Sequence, residues 1–307
     1  MGLGLFWKPQ GVGSQDFLRS LASVYVPKEK KKKGRSQIGH SGTLDPFAEG
    51  VLCVGWGEGT KILAPIFGLN KTYIAGLVLG ATTETLDPTS EIKLPDGELQ
   101  TKVLSSLEEF LMNPTLRQEF LNKNLGTQLQ IPPLYSSIKI MGQRSYNRAR
   151  SGDAQLESDL VLKAREVTVF SAQDLGVESD GVWKVRLTVS SGTYIRALAR
   201  DWSQRLVGYP GFLKSLVRTG VGNWFLDGPG AERMLTIADL KPEFEVAYLN
   251  TQESQKMRVS GLIPRTLNLV GARKSLFVCD NSQMPLAWSD VGQTSQVSRL
   301  FNENPLS

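Results

Sequence analysis

The sequence predicts an α+β fold: a mixed, mostly antiparallel sheet with flanking helices, followed by a small β-rich C-terminal module. Three observations predict it. Strand-like and helix-like segments follow one another without the strand–helix–strand rhythm of a parallel sheet. Residues 182–190 alternate apolar and polar side chains, the period-two pattern of a strand. Beyond a Gly- and Pro-rich stretch at 228–243, the chain after about residue 245 reads as short strands and turns.

Taken in order, residues 14–26 place Phe17, Leu18, Leu21, Val24 and Tyr25 at helical spacing, with Ser14 or Asp16 available as a cap. Residues 50–56 and 71–80 are apolar strand candidates, the second rich in β-branched and aliphatic side chains. Residues 84–99 hold Asp87-Pro88 and Pro95-Asp96-Gly97 and read as a loop or hairpin. Helical signals over 101–123 break near Asn113-Pro114, and Pro132-Pro133 forces an extended stretch. A short helix is expected at 144–151, strands at 165–170 and 182–190, and a turn at Gly192. An amphipathic helix over 193–207 follows, with Thr193 as its cap. Residues 212–225 are strand-like, and a short helix lies near Thr236–Leu240. The division expected from this pattern is a main domain over 1–240 and a small one over 245–307.

Composition narrows the function. Of 307 residues, 40% are hydrophobic and 21% charged, and mean hydropathy is −0.17, values of a globular chain able to bury a core. No apolar run reaches the roughly 18 residues of a membrane span. The apolar N-terminal stretch is too short for a signal peptide, and Phe6 occupies the position where myristoylation wants Ser or Thr. A cytoplasmic protein is expected. Cys53 and Cys279 sit in apolar runs and read as buried thiols, and with a single histidine they offer no zinc set. No metal is expected. The net charge of +5 favours a polyanionic partner. Lys28, Lys30, Lys31, Lys32, Lys33 and Arg35 crowd one segment, which is either a solvated loop or a phosphate contact.

Several catalytic patterns fall short. Ser136-Ser137-Ile138-Lys139 fits Ser-x-x-Lys but lacks the companion motifs of penicillin-binding enzymes. Gly39-His40-Ser41-Gly42-Thr43 lacks the last Gly of a nucleophile elbow. Gly55–Lys61 puts Thr60 where a phosphate loop needs Gly, and Gly2-Leu3-Gly4 lacks the third Gly of a dinucleotide site. No nucleotide cofactor is implied.

One segment holds up. In Gln37–Leu52, Gly39, Gly42 and Gly50 permit unusual backbone angles, and Pro46 stiffens the chain just after Asp45. Asp45 is then either a turn aspartate or a carboxylate fixed on a stiff loop. The run Gly-His-Ser-Gly-Thr-Leu-Asp-Pro-x-Ala-x-Gly-Val-Leu resembles the catalytic signature of TruB-type pseudouridine synthases. Further segments resemble family motifs in the same order: Lys8-Pro9-Gln10-Gly11 with Ser14 and Asp16, and Lys71-Thr72-Tyr73. They continue with Pro132–Lys139 and its Gly142 and Tyr146–Arg150, then Ser191–Arg196, then Leu216–Thr219. The resemblance runs from about residue 5 to 225.

The resemblance implies the pseudouridine synthase type of sheet and a cofactor-free isomerase. Its substrate would be the T-loop uridine of tRNA, conventionally nucleotide 55. Asp45 matches the essential aspartate. It could add to the sugar, add to the uracil, or deprotonate C2′. Arg196 matches the arginine expected to pair with that aspartate, its fork suiting a carboxylate. Tyr73 matches the tyrosine against the base; Tyr194 and Leu216 match pocket-lining residues. His40 matches the histidine that stacks in the disrupted loop once the base is flipped. Lys30, Lys31, Lys32, Lys33 and Arg35, with Lys139, Arg144, Arg148 and Arg150, are candidates for the RNA backbone. Lys8, Gly42 and Pro46 would shape the site. Residues 1–240 would then be the catalytic domain and 245–307 a PUA-like RNA-binding module, on the strength of Met257–Gly261 and Leu276–Cys279. The partner implied is the tRNA T-arm, bound by a monomer.

The sequence departs from the pattern at three places. Ser41 stands for the usual Thr, Trp7 for an Asp before Lys-Pro, and Val217 for the first Arg of Leu-Arg-Arg, which puts one phosphate contact in doubt. A non-enzymatic tRNA-folding protein on the same scaffold is the competing reading. A glycosidase built on Asp45 and Glu49 is a third, with the basic charge against it.

Overall fold

The computed structural model describes residues 2–26, 37–136, 139–140, 143–145, 149, 151, 153, 155–161, 163–260, 276–280, 285–289 and 299–300. The chain divides into two compact units, Met1–Leu69 with Thr219–Ser307, and Asn70–Arg218.

In the first unit, the Gly2–Lys8 strand pairs antiparallel with Glu49–Trp56, in register from Gly2↔Trp56 to Lys8↔Gly50. Glu232–Met234 adds to the far side of Gly2–Lys8, and Ile38–His40 pairs with Glu49–Trp56. Side chains alternate across such strands, so parity sorts the core. Phe6, Leu52, Val54 and Trp56 pack against Leu18, Ala22 and Val26, which put one stripe of the Ser14–Tyr25 helix on the sheet. Leu3, Leu5, Val51 and Cys53 point the other way, into a cluster with Ile62, Ile66, Trp224, Leu240, Phe244 and Cys279. Each fully buried Leu or Val contributes roughly 1.5–3 kcal/mol. Both cysteines are buried thiols.

Later in this unit, Thr236 and Asp239 form a capping box at the Ile237–Leu240 helix. After residue 245, Glu245–Leu249 runs parallel to Leu276–Asp280, which pairs antiparallel with Pro285–Ser289, and that strand with Arg299–Leu300. The Thr251–Ser260 helix, which contains Met257, follows the first of these strands where a turn was expected.

The second unit holds the strands Lys71–Val78, Trp183–Val189, Arg165–Val177 and Gly126–Gln130, each antiparallel to the next. The helices Gly97–Met112, Pro114–Lys123 and Ile195–Val207 accompany them. Phe110, Phe120, Trp183 and Trp202 meet edge to face with centroids 5.2–6.2 Å apart. Asn113 ends one helix and starts the next: its side chain accepts from the Thr115 and Leu116 amides, and Pro114 takes the first helical position, where no amide is needed. A buried ion pair ties helix to sheet. Arg117 donates from Nε and Nη2 to Asp174 at 3.0–3.1 Å, and Trp183 Nε1 donates to the same carboxylate at 2.7 Å. Burial alone would push the Asp174 carboxyl up. The hydrogen bonds from Arg117, Trp183 and the Gly176 amide outweigh burial and hold it below its ordinary value.

The predicted α+β class with a mixed, mostly antiparallel sheet is the class observed. Local differences have physical causes. Ser14 and Asp16 are not the helix cap: Gly13 holds that place, and the Ser14 hydroxyl is engaged elsewhere. Thr193 does not cap its helix, which starts at Ile195 after Tyr194; its hydroxyl donates to Ser190 O at 2.9 Å and closes the preceding turn. The loop or hairpin expected over 84–99 is a loop closed by a small hairpin, in which Thr82–Thr83, just before it, pairs with Ile92–Lys93. The helix expected at 144–151 falls largely outside the described residues.

Candidate active site

The signature aspartate lies in the first unit, on the loop between the Ile38–His40 and Glu49–Trp56 strands. Ser41, Leu44, Phe47 and Ala48 are buried, while Thr43 and Pro46 are exposed and Asp45 is half-buried. Buried anchors thus alternate with residues turned outward. The Ser14 hydroxyl donates to Leu44 O at 2.8 Å and accepts from Leu44 N at 3.0 Å. Ser14 is 4% exposed and Leu44 3%, so no water competes for these groups. On the other side of Asp45, Gly11 N donates to Pro46 O at 2.8 Å, and Ala48 N to Asp45 O at 3.1 Å. The aspartate is therefore flanked by fixed peptide groups, which holds its carboxylate in one region before any substrate arrives.

The N-terminal box supplies these anchors. Lys8 has no solvent exposure, and its ammonium donates to Pro9 O at 2.8 Å and Val12 O at 2.7 Å. It closes the turn that presents Gly11, whose φ of +82° suits glycine. Gly42 has φ +136° and donates its amide to His40 Nδ1 at 3.2 Å. With Nδ1 accepting, a neutral His40 carries its proton on Nε2. Trp7, one of the three departures from the pattern, donates its indole N–H to Glu49 at 3.1 Å. Glu49 thus has a structural partner, which further weakens the glycosidase reading.

The second unit carries Tyr73, Tyr194, Arg196 and Leu216. Tyr73 is buried on its strand opposite Leu187, and Leu216 is buried on the Phe212–Val221 strand. Tyr194 is half-buried at the start of the Ile195–Val207 helix. Arg196 is 4% exposed, not a surface residue of the first helical turn. Its guanidinium donates to Thr85 O and to Tyr135 O, each at 2.8 Å, and lies 3.7 Å from Asp87.

Asp87 was read from sequence only as a turn residue. Its carboxylate accepts from Thr85 Oγ1, from Thr89 Oγ1 and from Thr89 N at 2.5–3.0 Å. Thr83 Oγ1 donates to Asp87 O at 2.8 Å and accepts from its amide at 3.0 Å, the same reciprocal clamp that Ser14 makes on Leu44. Between them Leu86 adopts φ +59°, the non-glycine residue with positive φ among those described. Such a conformation costs about 1–3 kcal/mol and persists where surroundings impose it. The loop is thereby shaped to present a carbonyl and a carboxylate to Arg196. The hydroxyl spacing Thr83-x-Thr85-x-Asp87 was the available signal in the sequence. A cavity of about 380 Å³ opens nearby beside Thr82, Leu86, Ile131, Leu134 and Arg200, and none of the predicted site residues lines it.

Lys30, Lys31, Lys32, Lys33, Arg35, Arg148 and Arg150 lie outside the described residues. Lys139 belongs to a two-residue strand paired with Gln143–Arg144. Among the described residues, no group of His, Cys, Asp and Glu is arranged to hold a metal ion. No helix there is long and apolar enough to cross a membrane.

Similarity to known proteins gives the class to which this pinned glycine-rich loop and α+β sheet belong, the pseudouridylate synthases. A model described as TruB family pseudouridylate synthase (N terminal domain) matches residues 30–195, a span that includes Asp45, Tyr73 and Tyr194. A tRNA pseudouridine synthase B of Thermobifida fusca (strain YX) is 36% identical over 255 residues, covering 81% of this chain and 77% of that protein. One from Arthrobacter sp. (strain FB24) is 37% identical over 254 residues, covering 81% and 73%. Among solved structures, a chain of a Cbf5-Nop10-Gar1 complex aligns with TM-score 0.57 at 17% identity, covering 98% of this chain and 84% of that one. That likeness is one of fold. The chain belongs to the TruB family of pseudouridylate synthases.

Proposed function

We propose that this protein isomerises the T-loop uridine of tRNA, conventionally nucleotide 55, to pseudouridine, with Asp45 as the essential catalytic carboxylate. The observation that carries the reading is the placement of Asp45 inside the family signature, between two anchored peptide groups. The named relatives, which are tRNA pseudouridine synthase B proteins, supply the substrate class.

The reaction breaks the bond from C1′ to N1 of uracil and forms one from C1′ to C5. The C5 proton leaves and N1 gains one, so nothing is oxidised or reduced and no cofactor is called for. Each route open to Asp45, adduct or C2′ deprotonation, uses the ionised carboxylate. Tyr73, Tyr194, Leu216 and Arg196 bind the flipped nucleotide, and His40 fills the space the base leaves. Lys8, Gly42 and Pro46 hold the aspartate's loop. Lys30, Lys31, Lys32, Lys33, Arg35, Lys139, Arg148 and Arg150 meet phosphates of the T-arm. Residues 1–240 are the catalytic domain, and 245–307 are a PUA-like module that adds RNA contacts, supported by the four short strands and the helix among its described residues. The protein acts as a cytoplasmic monomer.

The test uses a tRNA transcript tritiated at uridine C5. Wild-type protein is expected to release tritium to water, and Asp45→Asn to release none while its tRNA Kd stays within several-fold of wild type. Activity retained in Asp45→Asn would remove that residue from its role. Tight tRNA binding without release by the wild type would favour an RNA-folding protein instead.

A further inference from the structure

Tyr194 opens the Ile195–Val207 helix, yet no side chain caps that terminus. Its position is set from the neighbouring strands. Gln130 and Arg165 are register partners on Gly126–Gln130 and Arg165–Val177. Gln130 presents its amide to the Tyr194 backbone as a peptide group would: Nε2 donates to Tyr194 O at 3.1 Å, and Oε1 accepts from Tyr194 N at 2.8 Å. Arg165 then takes the side chain. Its guanidinium carbon lies 4.9 Å from the centroid of the Tyr194 ring, and Nη2 donates to Gly192 O. Gly192 has φ +81°, and a Cβ there would lie 3.4 Å from that guanidinium carbon, so the charge rests directly on the turn.

This placement is not the cheapest way to fill the space. Arg165 Nε is buried without a hydrogen-bond partner, and a buried donor left unpaired costs stability that an apolar side chain of similar size would not. What the guanidinium adds is geometry: a cation against one ring face fixes the ring, and a donor to Gly192 O fixes the turn beneath it.

We propose that Arg165 is a positioning residue for the reaction, holding the Tyr194 ring and the Gly192 turn in the conformation that receives the substrate base. The inference rests on the assignment of Tyr194 to the nucleotide pocket. Arg165 acts through Tyr194 and not on the reacting atoms. It should therefore govern turnover more than tRNA affinity.

The test separates position from activity. Protein labelled with 3-fluorotyrosine has seven tyrosines, and Tyr194→Phe assigns the Tyr194 fluorine resonance. Arg165→Met is expected to shift or broaden that resonance while the other six stay in place, and Arg165→Lys to shift it less. In single-turnover tritium release, Arg165→Met is expected to be about tenfold slower with tRNA Kd within about twofold, and Arg165→Lys to recover part of the loss. An unmoved Tyr194 resonance in Arg165→Met overturns the proposal. So does a loss confined to tRNA affinity, which would make Arg165 a phosphate contact. Should Arg165→Met not fold, Arg165→Lys carries the same comparison, and an unmoved resonance with wild-type turnover there overturns the proposal equally. A wild type that releases no tritium would sink the functional reading, while the fluorine spectrum would still decide the positioning.

Discussion

Replacing Ser14 by Ala removes one oxygen atom, yet it strips partners from two buried groups at once. The Leu44 N–H and C=O both bond to that hydroxyl, and neither residue is more than 4% exposed. Each buried backbone group left unpaired costs about 1–3 kcal/mol. If the loop stays in place, Ser14→Ala therefore loses roughly 2–4 kcal/mol, allowing for relaxation. At about 2–4 °C per kcal/mol for a chain of this size, that is a fall in Tm of order 5–15 °C. If the loop instead shifts to find water, stability suffers less and the aspartate leaves its position. A displacement of about 1 Å is enough to cost roughly a hundredfold in rate. Thermal unfolding by circular dichroism and tritium release from tRNA, measured on the same preparation, read both outcomes. At least one must fall, and tRNA affinity should change little. A Ser14→Ala protein with wild-type Tm and wild-type turnover would refute the claim that this hydroxyl holds the Asp45 loop in the place the proposed reaction needs.

Two further predictions follow from charge. The Asp174 carboxyl titrates below its unfolded value, so its contribution to stability is present above the unfolded pKa, about 4, and is lost as pH falls through the folded one. Asp174→Asn should be destabilised by about 3 kcal/mol at pH 7, because it leaves Arg117 buried without its counter-charge. Urea unfolding from pH 7 to pH 3 should show the gap from wild type narrowing below pH 4, and a constant gap would show that the pair contributes nothing through ionisation. Replacing Lys30, Lys31, Lys32 and Lys33 together by Ala should weaken tRNA binding and flatten its log–log salt slope by up to about three; an unchanged slope would make the run a bystander.

What was legible in the sequence was whatever lay close together along it. The Asn113-Pro114 break announced itself because cap and first helical residue are adjacent. The Asp45 loop was legible because its glycines, its proline and its aspartate fall within one short run. Ser14 and Thr193 were misread for a single reason: a hydroxyl before a helix has a strong local rule, and here both are spent elsewhere, one on a loop thirty residues on and one on the turn behind it. The Gly2–Lys8 strand escaped notice because Gly2 and Gly4 lower its strand propensity, although it is buried throughout. Asp87 looked like ordinary turn chemistry, since its link to Arg196 depends on a fold that no local pattern encodes.

Ser14 and Thr83, one in each unit, each grip both backbone groups of another residue, Leu44 thirty positions on and Asp87 four positions on. A single hydrogen bond lets a loop pivot about it; a donor and acceptor on one oxygen, met by the two polar groups of one residue, remove that pivot. The Leu44 and Asp87 loops are thus the wrong places to look for hinges. Whatever motion admits a folded RNA must be borne by other segments, and amide exchange should find these two loops among the slowest non-helical stretches of the chain.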